Sequence, residues 1–170
     1  MITLRLTTPE DIPALQRIAV NTQVDTFGAF NTEANMNAYL EEAYNLERLR
    51  KELDEAGSRN CLAFLDNELA GFMRLRRSTE VDHLLGTNTI ELQRLYVYAK
   101  FHGRGVGAAM MQEALKYAGK VGVDWIWLGV WERNFRAQEF YARWGFERFS
   151  EHIFQMGDDP QTDWLLKRRP

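Results

Sequence analysis

The stretch from Ile90 to Trp131 constrains this chain more than any other. A run of β-formers, Ile90 to Tyr98, leads into His102-Gly103-Arg104-Gly105-Val106-Gly107. Met110, Met111, Ala114, Leu115 and Ala118 then recur at helical spacing, and Trp125-Ile126-Trp127-Leu128-Gly129-Val130-Trp131 reads as strand again. A strand, a helix and a second strand in this order need a crossover, so the two strands are predicted to lie parallel, with right-handed connectivity.

The flanking sequence predicts a mixed α/β fold of the α+β kind. Met1-Ile2-Thr3-Leu4-Arg5-Leu6 alternates as a strand does, and Thr8-Pro9-Glu10-Asp11 supplies a capping hydroxyl, a proline and first-turn acids for a helix bearing Ile12, Leu15, Ile18 and Ala19 on one face. Helices are also predicted from near Thr32, with Met36, Tyr39, Leu40 and Ala43 in register, and from near Asn45, with Leu46, Leu49 and Leu53. Asp25 to Phe30 between them is expected to be a loop. Cys61 to Leu65 and Leu69 to Leu75, joined by Asp66-Asn67-Glu68, form a predicted antiparallel hairpin. A last helix, Asn134 to Trp144, stops at Gly145, and strands near Glu147 to Met156 and Asp163 to Lys167 close the chain.

No repeat or linker divides the 170 residues, so residues 1–170 are expected to form one domain. The single cysteine, Cys61, permits no intramolecular disulfide, and no Cys/His cluster has metal-ligand spacing. With no apolar leader or eighteen-residue apolar run, a cytoplasmic location is expected, without a membrane partner. The net charge of −3 and a basic cluster confined to Lys167-Arg168-Arg169 leave no broad positive field for a nucleic acid.

The glycine turn joins a strand end to a helix start, where backbone N–H groups lack intrahelical partners and the macrodipole is positive. Gly103, Gly105 and Gly107 let the main chain approach a pyrophosphate, and Arg104 can add a charge-assisted bond. The competing reading is a tight turn whose glycines serve conformation alone. A dinucleotide motif, Gly103-x-Gly105-x-x-Ala108 with Glu132 as the ribose acid, also matches the letters, but only 38 residues follow Glu132, too few for the rest of such a fold. A Walker loop fails because no Gly-Lys-Ser/Thr follows.

On these residues the chain resembles the GNAT superfamily of N-acetyltransferases, whose pyrophosphate loop is Gln/Arg-x-x-Gly-x-Gly/Ala. Here histidine takes the first position. Leu95-Tyr96-Val97, Trp131-Glu132-Arg133-Asn134 and Phe140-Tyr141-x-x-x-Gly145-Phe146 extend the likeness. A narrower resemblance, through Met36-Asn37-Ala38-Tyr39-Leu40, Glu91 to Val97, Ile126 to Glu132 and Met156 to Asp163, is to the bacterial Pai-type spermidine/spermine N-acetyltransferases.

The resemblance implies a central, mostly antiparallel seven-stranded sheet with helices on both faces and a splayed parallel pair that receives the pantetheine arm of acetyl-coenzyme A. It implies that Leu95, Tyr96, Val97, His102, Gly103, Arg104, Gly105, Val106, Gly107 and Asn134 bind the coenzyme, with the Leu95 N–H facing the thioester carbonyl. Tyr141 would protonate the departing thiolate, although Phe140, Tyr141 and Trp144 at helical spacing also suit a plain core face. Glu91 would take the proton of the amine, or it is a solvated strand-end carboxylate. Asp25 and Phe27 would lie at the acceptor site.

The implied reaction is direct acetyl transfer in a ternary complex to a small primary amine, a polyamine foremost. A peptide amine, or coenzyme binding without turnover, stand as alternatives, and a homodimer stays open. Cys61 reads as core rather than nucleophile and His83 and His152 as satisfied or surface histidines, while Asp25, Glu33, Glu41, Glu42 and Asp82 either draw a polyamine by long-range attraction or form a solvated face.

Overall fold

The computed structural model describes residues 1–170. Seven strands form one sheet: β1 (Ile2–Leu6), β2 (Arg59–Leu65), β3 (Glu68–Arg76), β4 (Thr89–Val97), β5 (Trp125–Trp131), β6 (Glu147–Met156) and β7 (Asp159–Arg168), in the order β1-β2-β3-β4-β5-β7-β6. Only β4 and β5 are parallel, and the remaining neighbours are antiparallel. The turn between β2 and β3 uses Asp66 and Asn67 at positive φ, the residue types that tolerate that region in a two-residue hairpin.

The helices are α1 (Ile12–Phe27), α2 (Glu33–Ala43), α3 (Leu46–Asp54), the single turn α4 (Asp82–Leu85), α5 (Val106–Val121) and α6 (Phe135–Arg143). Helices α2 and α3 begin where expected, and Thr32 and Asn45 cap them, accepting from the N–H groups of Asn35 and Arg48. The larger core lies between the sheet and α5 and α6, where Met110, Met111, Ala114 and Ala118 meet Leu75, Ile90, Ile126 and Leu128. A second core on the other face joins Ile12, Leu15, Ile18 and Leu49 to Leu62 and Phe72. No helix is long and apolar enough to cross a membrane.

Two expectations are corrected, and one short helix is unforeseen. Asp25 to Phe27 is not loop but the last turn of α1, and residues 28–30 continue as a 3-10 turn. Nothing in Gln23 to Phe27 breaks a helix, the Thr22 and Thr26 hydroxyls donate to carbonyls one turn back, and Gly28 itself takes a helical φ of −59°. Strand β7 begins at Asp159, four residues before Asp163, because the β6–β7 hairpin turns tightly at Gly157. The one-turn α4 was not predicted, its four residues being too few for a periodic pattern.

Candidate active site

The parallel ladder between β4 and β5 holds only for Thr89↔Trp125, Ile90↔Ile126 and Glu91↔Trp127. Beyond Glu91 the strands part: β4 continues against β3 to Val97, and β5 continues against β7 to Trp131. The divergence starts where β4 carries an extra residue. Arg74 faces Arg94 and Leu75 faces Leu92, so Gln93 stands unpaired as a β-bulge, which bends its strand. The bulge also shifts the side-chain alternation. Ile90 and Leu92 point to the α5 face before it, and Leu95 and Val97 do so after it.

The main chain follows the same logic. The Tyr98 N–H donates to the Ala70 carbonyl on β3, so alternation turns the Leu95 and Val97 N–H groups away from β3 and into the opening beside β5. These donors have no strand partner there and await one. The Tyr96 ring turns to the opposite face and stacks on Phe72, with centroids 5.6 Å apart.

At the end of β4 the chain enters the glycine turn. Gly103 and Gly105 have φ of +77° and +85°, and a side chain at Gly103 would meet no protein atom within 4 Å, which leaves the approach from outside clear. Gly105 caps α5 without any side-chain hydrogen bond to the free amides of the first turn. A bare helix N-terminus of this kind suits an anion, and the open turn and unpaired strand donors fit a diphosphate carrying an extended amide arm.

His102, where the resembled motif has Gln/Arg, ties this region together. Its Nε2 lies 2.8 Å from the Val97 carbonyl and its Nδ1 2.5 Å from Arg136 Nη1. A carbonyl only accepts and a guanidinium only donates, so Nε2 donates to Val97 and Nδ1 accepts from Arg136. Arg104 does not reach the cleft; its guanidinium lies over the Phe101 ring, 5.9 Å from the centroid. Arg136, which sequence reasoning passed over, is the cleft-lining cation beside the loop.

A cleft of about 1130 Å³ runs through the opening and is lined by every candidate residue except Arg104. Asn134 caps α6, accepting from the Ala137 N–H at 3.2 Å, which leaves its amide hydrogens for a guest. Tyr141 on the same helix is buried between Phe140 and Phe146, with centroids 5.4 and 5.8 Å away. Burial pushes its phenol well above the usual range, so it stays protonated at neutral pH. The Cys61 thiol, buried on β2, is pushed up to about 11 by the same effect.

Glu91 is not the solvated strand-end carboxylate that stood as its alternative reading. It is 7% exposed, at the last rung of the parallel ladder, with its Oε2 2.5 Å from Arg76 Nε. Burial raises its pKa, and Arg76 partly offsets the rise. Nearby on that face His152 lies between Asp163, 3.4 Å from its Nε2, and Glu80, which meets its Nδ1. Bonds to Asp163 and Glu80 push the imidazole up to about 10. Gly129 makes room for the pair, since a Cβ there would come within 3.3 Å of Asp163 Oδ2. Asp25 is exposed at the cleft rim, and the Phe27 ring packs on Trp131 at 5.2 Å.

Sequence reasoning gave no part to Arg76, Glu80, Asp163 or Gln23. The first three are brought to the cleft by cross-strand register and by the β3–β4 connection, which no local pattern encodes. Gln23 is a polar residue on the buried face of α1, and no local pattern marks it.

Comparison with known proteins agrees with this geometry. The model of the acetyltransferase (GNAT) family matches residues 24–146. An uncharacterised N-acetyltransferase of Lactobacillus delbrueckii subsp. lactis is 37% identical over 163 residues, covering 94% of this chain and 92% of the relative. The spermidine N(1)-acetyltransferase of Thermoplasma acidophilum is 27% identical over 172 residues, covering 99% and 97%. Among solved structures, the PaiA N-acetyltransferase of Thermoplasma acidophilum in complex with coenzyme A superposes with a TM-score of 0.83 at 23% identity, covering 100% of this chain and 99% of that one. Parted strands, an uncapped glycine turn and a family match over most of the sequence lead to one conclusion: the chain belongs to the GNAT family of acetyltransferases.

Proposed function

We propose that this acetyltransferase moves the acetyl group of acetyl-coenzyme A onto a primary amine of a polyamine such as spermidine or spermine, by direct attack in a ternary complex. The observation that carries the reading is the opening between β4 and β5, with the Leu95 and Val97 amides directed into it and the glycine turn at its end. Support for a polyamine comes from the full-length similarity to a spermidine acetyltransferase and from the exposed carboxylate of Asp25 at the cleft rim.

In this reading the amides of residues 103–108 hold the pyrophosphate, with Arg136 and Asn134 alongside, and Val97 bonds the pantetheine arm. The amine arrives as an ammonium with a pKa of about 10.4 and must lose a proton to attack. Glu91 takes that proton. Its raised pKa brings it nearer to neutrality, where a base is most effective.

The nitrogen then bonds to the thioester carbon, and the carbonyl oxygen becomes an oxyanion facing the Leu95 N–H. A donor so placed contributes about 3 kcal/mol to the transition state in comparable sites. As the carbon–sulfur bond breaks, the acylated nitrogen sheds its second proton to water, the thiolate takes the Tyr141 proton, and the tyrosinate is reprotonated from water. Steady-state thiol release with spermidine, with an acceptor peptide and with no acceptor tests the reading. Turnover dependent on spermidine is expected; turnover with the peptide alone would overturn the polyamine assignment.

A further inference from the structure

Eight buried side-chain atoms in this protein lack a hydrogen-bond partner, and of the residues that carry them only Gln23 lines the cleft. Gln23 is 1% exposed, and no protein donor reaches its Oε1. It lies on the inner face of α1 one turn before Phe27, whose ring meets Trp131 at the end of β5. Folding has thus withdrawn a strong hydrogen-bonding group from water and left it unmatched, although an apolar side chain of similar volume would fill the same space.

We infer that Gln23 is a recognition residue for the acyl acceptor, its carboxamide turning from the α1 wall into the cleft to bond the amine end of an alkylamine whose stem lies along the Phe27 and Trp131 rings. This rests on the acceptor being an amine, as proposed above. A neutral carboxamide has a particular merit here. A second carboxylate at the reacting nitrogen, beside Glu91, would favour the ammonium and oppose its loss of a proton, whereas an amide carbonyl accepts from the N–H of either form. Glu91 then stays free to remove the proton, and Gln23 keeps its hold on the amine afterwards.

Gln23→Leu and the volume-matched Gln23→Met provide the test, through acceptor kinetics with spermidine, calorimetric titration of acetyl-coenzyme A and thermal unfolding. Loss of one ligand hydrogen bond corresponds to a rise of about tenfold in the acceptor KM. The coenzyme Kd is expected to stay at the parent value, and the unfolding temperature of at least one variant to rise, because the unmatched polar group is gone. An acceptor KM within twofold of the parent in both variants would overturn the assignment while leaving the acetyltransferase reading intact. So would an equal loss of coenzyme affinity and acceptor affinity, which marks a general disturbance of the cleft. A parent enzyme that acetylates no amine would instead remove the reading on which the inference rests.

Discussion

Arg76 Nε lies 2.5 Å from Glu91 Oε2 at the rung where the β4–β5 ladder ends. The guanidinium keeps a buried carboxylate in the ionised form that a base needs, while burial raises the pH at which it protonates. The acid limb of kcat/KM is therefore expected above the ordinary glutamate value of about 4.3. Glu91→Gln should lower kcat/KM about 100-fold at neutral pH. The deficit should shrink as pH rises and the amine loses its proton unaided. A parent-to-variant ratio constant from pH 6 to pH 10 would remove Glu91 from proton transfer.

Tyr141→Phe retains the ring contacts with Phe140 and Phe146 and deletes only the hydroxyl. Turnover should fall by about 100-fold or more, the usual share of a general acid. Coenzyme affinity measured by calorimetry should not move. Equal kcat in the two proteins would leave Tyr141 as core alone.

Gly105→Val forces a β-branched residue to a φ of +85°, with its Cβ 3.4 Å from Ile2 Cδ1. Backbone strain of this kind costs about 1–3 kcal/mol of stability. The valine also narrows the turn, so acetyl-coenzyme A binding should weaken by at least about tenfold, or 1.4 kcal/mol. Calorimetry on the folded variant separates the two effects, and unaltered affinity would displace the phosphate site from this turn.

His152 gives a pH dependence of stability, because Asp163 and Glu80 raise its pKa to about 10 in the folded protein. The unfolded chain binds that proton with a pKa of about 6.5. The stabilisation is complete below the lower value and lost as pH climbs through the higher one. Thermal unfolding should show a falling Tm between roughly pH 6.5 and 10, and His152→Gln should flatten that slope. An unchanged slope in the variant would assign the effect to other groups.

Much of the architecture was legible in the chain. The hairpin at Asp66-Asn67, the helix starts near Thr32 and Asn45 and the crossover from β4 to β5 each rest on contacts within a few residues or on a period that local chemistry sets. Glycines 103, 105 and 107 were readable because an uncapped helix start is itself a local feature. The ion pair of Arg76 with Glu91 and the grouping of His152 with Glu80 and Asp163 were not. They depend on which strands become neighbours and in what register, and those facts exist only once the sheet has assembled. Asp25 to Phe27 misled for another reason: they carry no strong apolar period, yet nothing in them breaks the helix, which runs to Phe27.

The extra residue at Gln93 has a consequence for how this strand can vary. Were it deleted, every group from Arg94 onward would rotate by half a pleat. The amides of Leu95 and Val97 would turn back toward β3, and their apolar side chains would leave the α5 core for the opposite side of the sheet. Substitutions along β4 can be absorbed one at a time, but a change of length there exchanges inside for outside and closes the binding slot in a single step.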